Sequence, residues 1–542
     1  MSQKLERNGY NKEISRQLAN EALKIQKRST SDKTGKPVGQ GGQTSNITII
    51  QDSCDATVAP DCSFAGKYRT INGQCNNLNG HGYQGSAGTA FTRYKVTKKA
   101  SKDIEDPLQL MSFSTEKIPG RTIPSTCGDV DEPEIEGKIE KPKSCGTNVD
   151  GCQMRTNLPG ARLVSTTIHD NTDSPSSTAT VFFSQFGQLL DHDITLTPEE
   201  HVNKCCDKQA NGEYEPECST IDVSYDEHYK DLGVKCLDFT RSVEHCVGND
   251  NLVRQQTNGI TSFVDGSHIY GSDDELALNI RTLANGELKT SKSANGDLLP
   301  KINDKFEAGD VRAREMPGLT VGHTIWIREH NRIAKLVAEH VTEDEEIYQL
   351  TRRIVVAEWQ NIVYGQYMTE LLDNQDLKPS VSGTRYDSSV DPAMTNEFAT
   401  AAFRFGHSMI QSTIKMLATN DYKKEIGNYQ LRHNFFDDTF YESNMENIIM
   451  GMIHNPAQSI GPSLIEDVTN HMFENVPAFK GIGTDLAARN IHRGRDHGIP
   501  GFCCYYKTFQ DESFDCSKGW EMKYKSVLQN LFFNVLLSIS FL

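Results

Sequence analysis

The apolar stretch 181–190 runs straight into Asp191-His192-Asp193, and this junction limits the possible fold more than any other part of the chain. If the stretch is a helix, Gln188, Asp191 and His192 stand at i, i+3 and i+4 and share one face. Asp193 is then turned about 100° away from His192 by the helical pitch and serves a different neighbour. A helix with an amide, a carboxylate and an imidazole on one face needs a polar counterpart to bury them against, because unpaired buried polar groups are costly. The competing expectation is a helix end whose polar residues face water.

Helical spacing continues elsewhere. Trp326, His330, Ile333 and Val337 repeat at 4, 3 and 4, and Val355, Trp359, Ile362 and Val363 continue the pattern. No β-alternation of comparable length competes, so the body is expected to be mainly α with few short strands and no internal repeat. At 542 residues the chain can bury a large core, as one big domain or two ordinary ones. Residues 1–50, rich in Lys, Gln, Gly, Ser and Thr, read as a disordered leader before a folded body over 51–542, and 128–145 as a solvated loop. The formal net charge of −17 argues against nucleic acid as a partner, since phosphate binding needs clustered Lys and Arg.

Fourteen cysteines are present, none in a C-x-x-C pair. Disulfides in an oxidising compartment are therefore the better reading than a zinc site. Cys62 with Cys75 is the first pairing to expect, and partners within the group 205–246 stay open. Asn46-Ile-Thr48 is a candidate glycosylation acceptor. Residues 1–17 carry no apolar core of a signal peptide, in tension with the cysteines. The apolar tail 527–542 is shorter than the roughly 20 residues a membrane-spanning helix needs, so no span is expected.

Four further clusters bear chemistry. Thr261-Ser-Phe-Val-Asp-Gly-Ser267 offers hydroxyl, carboxylate and carbonyl oxygens at alternating positions, as a hard cation prefers. Asp193 could complete that set; the bland reading is a hydroxyl-rich turn. In Gly309-Asp-Val-Arg-Ala-Arg-Glu-Met316, Arg312, Glu315 and Met316 have helical spacing, against the reading of a solvated helix start. Phe403, His407 and Ile410 would share a helical face, where a lone histidine is more often a hydrogen-bonded core residue than a ligand. Asn490 opens the polar run Asn490-Ile-His-Arg-Gly-Arg-Asp-His-Gly498, whose simplest reading is a solvated loop.

Together these five segments resemble the animal haem peroxidase superfamily over about residues 60–510. The resemblance includes Tyr68-Arg-Thr-Ile-Asn-Gly-Gln-Cys-Asn-Asn77, Leu158-Pro-Gly-Ala-Arg-Leu-Val-Ser165, Cys236-Leu-Asp-Phe-Thr-Arg-Ser242 and Arg328-Glu-His-Asn-Arg332. It implies a large helical domain enclosing haem b, in which His407 ligates the iron and Asn490 accepts a hydrogen bond from its other ring nitrogen. On the other haem face, His192 would move a proton between the peroxide oxygens. Arg312 would supply fixed charge there, and Gln188 would hold water or a halide. Arg404 would lie near the haem on the proximal side, and Arg493 is a candidate for a propionate contact.

The resemblance also implies ester links from Asp191 and Glu315 to the haem, and a sulfonium link from Met316 that would raise the haem's oxidising power. The competing reading is a methionine merely packed against the haem edge. It further implies calcium bound by Asp193, Thr261, the Phe263 carbonyl, Asp265 and Ser267. The expected reaction reduces hydrogen peroxide and oxidises a small donor such as a halide, thiocyanate or a phenol, outside the cell. An adhesion or matrix scaffold with weak catalysis is the alternative, and a fatty-acid oxygenase a more distant one. His330, His492 and His497 need no catalytic role. After about residue 510 the chain departs from the family's pattern, which suggests a truncated or aberrant end.

Overall fold

The protein is described by a computed structural model that covers residues 62–93, 160–245, 255–372 and 390–499, apart from scattered positions inside the first three spans. The leader, Asn46, the loop 128–145 and everything after residue 499 lie outside the described residues.

The described chain is mainly α-helical, with short two-stranded ribbons at its edges. In chain order the elements that build the site are helix α1 (Ala161–Ile168), strand β1 (Pro175–Thr180), helix α2 (Val181–Ile194), the single turn α3 (Ser267–Tyr270) and helices α4 (Pro317–Ala338) and α5 (Asp344–Ile362). Strands β2 (Thr413–Ala418) and β3 (Asp421–Gln430) follow, then helix α6 (Asp438–His454), strand β4 (Pro456–Gln458) and helix α7 (Leu486–Asp496). β1 pairs antiparallel with β4, and β2 with β3.

Local chemistry fixes the helix starts. The Thr180 hydroxyl accepts from Phe183 N at 3.3 Å and opens α2. Pro317 occupies the first turn of α4, where its missing N–H is not needed. The Glu343 carboxylate caps α5, and Asp344, Glu345 and Glu346 place negative charge at the positive end of its dipole. Asp485 caps α7 through Ala488 N at 2.9 Å. The run from Asn490 onward, for which a solvated loop is the simplest sequence reading, is therefore helical as far as Asp496.

α4 is the central helix and packs on α2, α5 and α6. Trp326, His330, Ile333 and Val337 form its buried stripe. On α5, Val355, Trp359 and, just beyond, Val363 are fully buried. A π-helical turn, Val363–Tyr367, extends α5 and carries Tyr367 against α2. The approach is so close that a Cβ at Gly187 would lie 2.2 Å from the Tyr367 hydroxyl oxygen. Three disulfides join described cysteines: Cys62–Cys75, Cys205–Cys218 and Cys206–Cys236.

His330 is a satisfied core histidine: Nε2 donates to Gly286 O at 2.8 Å and Nδ1 accepts from the Tyr270 hydroxyl at 2.9 Å. Burial lowers its pKa to about 4. The unfolded chain takes up this proton near pH 6.5 and the folded protein only near pH 4. The stabilisation is thus complete above about pH 6.5 and is lost as the pH falls. His330→Gln is expected to be less stable at neutral pH. It should also lose about 2 kcal/mol less than the wild type between about pH 6.5 and 5, as read from urea unfolding midpoints.

Candidate haem and cation sites

A cavity of about 330 Å³ opens between α2, the start of α4, residues 403–410 and α7, within the range of cofactor pockets. Gln188, Asp191, His192, Arg312, Glu315, Met316, Arg404, His407 and Asn490 all line it. Every residue assigned to haem or peroxide chemistry on sequence grounds therefore meets at one place. Four of them arrive by a route that helical spacing does not describe. Arg312 and Glu315 sit in turns ahead of α4, and Met316 is that helix's N-cap. Phe403 and His407 belong to a 3₁₀ segment, Ala402–Met409, and Ile410 lies beyond its end. With three residues per turn, positions 403 and 407 do not share a face, although both line the cavity.

Two walls of the cavity differ in chemistry. On α2, His192 is 1% exposed, and burial together with the Arg312 charge holds it neutral, well below its ordinary pKa. Its Nδ1 lies 3.3 Å from His323 Nε2 and 3.6 Å from Asp310 Oδ1. The Arg312 guanidinium donates to Asp310 Oδ1 and Oδ2 at 2.9 and 2.8 Å, Asp191 Oδ2 at 3.0 Å and Thr195 O at 2.8 Å. Burial opposes the Asp310 charge, but Arg312 and His192 hold the carboxyl well below the carboxylate range. Asp191 also accepts from the Thr195 hydroxyl at 2.7 Å. Burial pushes Glu315 up to about 7.

On the 3₁₀ segment that also lines the cavity, burial and then the neighbouring Arg404 charge bring His407 down to about 3, so its imidazole is neutral. Its Nδ1 faces Asn490 Nδ2 at 2.8 Å, while Asn490 Oδ1 accepts from Arg404 Nη1 at 3.2 Å. The expected pair is in contact, but its polarity is reversed: the amide donates to the ring because its oxygen is taken by Arg404. The donor set fits haem: one cavity is lined by a neutral imidazole together with acid–base and cationic groups. Arg493 reaches the cavity edge but is held by Thr240 O, the Ser242 hydroxyl, Asp496 and Glu199. His492 contacts Ser219 O at 2.8 Å, and His497 contacts Ser242, Thr400 and Asn396. Both histidines are structural.

Asp193 points away from the cavity, as the helical pitch dictates. Its Oδ1 accepts from Ser267 N at 2.6 Å and Oδ2 from Trp359 Nε1 at 2.5 Å, and its backbone oxygen accepts from the Ser267 hydroxyl at 2.7 Å. The Thr261 hydroxyl donates to Asp265 Oδ1 at 3.0 Å, and the Phe263 carbonyl accepts from Asp265 N at 2.9 Å. Asp193, Thr261, Asp265 and Ser267 are all buried, and Asp265 Oδ2 has no hydrogen-bond partner. Burial and the adjacent Asp193 charge push the Asp265 carboxyl up. Two buried carboxylates side by side, one with an orphaned oxygen, fit a hard cation.

Asp310, His323 and Tyr367 join these sites without having been singled out by the sequence, and Trp359, expected only as part of a helical stripe, bonds Asp193. Asp310 alone left a local signal, two residues before Arg312. Its carboxylate accepts the Arg312 backbone N–H at 2.9 Å in a short turn. Trp359→Phe would leave Asp193 Oδ2 buried without a donor. It is expected to destabilise the protein by about 1–3 kcal/mol in urea unfolding; an unchanged midpoint would show that this indole bond is dispensable.

The animal haem peroxidase family model matches residues 68–516. The chain is 31% identical to myeloperoxidase of Mus musculus over 497 residues, covering 84% of this chain and 63% of that protein. It is 30% identical to peroxinectin A of Dictyostelium discoideum over 389 residues, covering 66% of this chain and 68% of that protein. Among solved structures, peroxidase A from Dictyostelium discoideum superposes with a TM-score of 0.63 at 24% identity, covering 88% of this chain and 84% of that one, a likeness of fold. The chain thus spans just under two thirds of the length of the mouse relative. With the family match spanning every residue that lines the cavity, the chain belongs to the animal haem peroxidase family.

Proposed function

We propose that this protein is a haem peroxidase that reduces hydrogen peroxide and oxidises a small donor: a halide, thiocyanate or a phenol. The observation that carries this reading is the meeting, in one cavity, of the neutral His407 with Gln188, His192 and Arg312. Haem bound there would supply the redox-active iron at which peroxide is reduced. His407 would offer its Nε2 to the iron, which requires the Asn490 amide to turn over so that Oδ1 accepts from Nδ1. His192 would take the proton of the inner peroxide oxygen and return it to the outer one, so that water leaves. Arg312 would set positive charge beside the departing oxygen, and Gln188 would hold the water or halide.

Asp191 and Glu315 are the groups that would esterify the haem. Met316, 6% exposed at the cavity wall, is the one that would form the sulfonium. Calcium would take Asp193, Thr261, the Phe263 carbonyl, Asp265 and Ser267, as a structural ion that ties the loop to α2. Three disulfides support an extracellular setting. No helix among the described residues is long and apolar enough to cross a membrane.

Haem-loaded protein is expected to show a Soret band that shifts when peroxide is added, and His192→Gln should slow that shift by roughly 10²- to 10⁴-fold. A correctly folded protein without a haem band would overturn the reading. Mass spectrometry of the haem peptide should find haem attached to Met316 as well as to the two carboxylates; release by ester hydrolysis alone would remove the sulfonium. Chelating calcium should loosen α2 and lower activity, whereas full activity in calcium-stripped, haem-loaded protein would exclude the structural ion.

A further inference from the structure

We infer that His323 is a positioning residue that fixes the tautomer of His192, so that His192 presents a bare Nε2, a base, to the cavity. The inference rests on the peroxidase reading and deepens it. His323 lies on α4, 1% exposed, with Nδ1 at 3.0 Å from the backbone oxygen of His268. A carbonyl only accepts, so this contact places the ring proton on Nδ1. Burial keeps the ring neutral, and its Nε2 therefore carries a lone pair. That lone pair faces His192 Nδ1 at 3.3 Å, and the contact is a hydrogen bond only if His192 donates.

Asp310 acts in the same direction. Its Oδ1 is 3.6 Å from the same Nδ1, and as a carboxylate paired with Arg312 it can only accept. The other tautomer of His192 would set a lone pair against both a lone pair and a carboxylate. Nearby, Arg312 is tied to Asp310, Asp191 and Thr195, and the fully buried His268 ring packs edge-on to His323 at 5.8 Å between centroids. A neutral imidazole has one N–H, so with it on Nδ1 the free pair is on Nε2. The peroxide proton would pass to that nitrogen. The charge created on the ring would be shared through Nδ1–H with Asp310 and His323, and returning the proton restores the starting tautomer.

The test uses haem-loaded protein, reduced and carbon monoxide-bound so that it is diamagnetic, with ¹⁵N-labelled histidine. The His192 resonances are identified by their loss in His192→Gln. The expected wild-type spectrum shows His192 protonated on Nδ1 and bare on Nε2. His323→Leu should mix the two tautomers and slow the peroxide-induced Soret shift by about 10- to 100-fold. His323→Gln, whose amide can accept from His192 and donate to the His268 carbonyl, should restore the tautomer and most of the rate. A wild-type His192 protonated on Nε2 overturns the inference, as does an unchanged His192 signature in His323→Leu. If the leucine variant fails to fold, His323→Asn, whose shorter amide withdraws from His192, takes its place with the same expected and overturning results. Absence of any haem band would instead sink the peroxidase reading, so the two failures are distinguishable.

Discussion

The buried carboxylate of Asp193 is the constraint on which the site's geometry depends. It has no solvent exposure, and an ionised group so placed is tolerated only when its oxygens are satisfied. Ser267 supplies a backbone N–H to one oxygen, and Trp359 supplies an indole N–H to the other. α2 is thereby pinned to both α3 and α5 at its last turn. His192 is the preceding residue, so the bonds that satisfy Asp193 also fix where that imidazole points. A cation at Asp265 and its neighbours would reinforce the same joint.

Around His192, compensation of charge matters as much as placement. Arg312 is shared between Asp310 and Asp191, and its full positive charge is not displayed to the cavity. Ester formation at Asp191 would remove one of the two negative partners and leave Arg312 more strongly cationic at the cavity wall. Attachment of the prosthetic group and strengthening of the local field would then be one event. Glu315, held up near 7 by burial, carries no such ion pair and needs no partner released.

What the sequence makes legible is what local periodicity encodes. The face of α2 follows from spacing, and the structure sets Gln188, Asp191 and His192 along the cavity with Asp193 turned away. Spacing misleads where the chain is not α-helical. Arg312, Glu315 and Met316 reach the cavity through turns and an N-cap, and His407 through a 3₁₀ segment. His323 is silent in the sequence because its relation to His192 spans 131 residues. Three of the remaining family strings act as clamps. Arg162 binds Asp226, Asp485 and Asn470; Arg241 binds Asp496; and Asn331 brackets both backbone groups of Leu288.

The bonds at Asp193 also impose an order on biosynthesis. Ser267 follows Asp193 by 74 residues and Trp359 by 166. During translation α2 can coil as soon as it emerges, but the partners of its acidic terminal turn are incomplete until α5 has left the ribosome. Such non-local closure is slow and leaves a partly formed apolar surface exposed meanwhile. The cavity wall that carries His192 is accordingly completed only after α5 has been made.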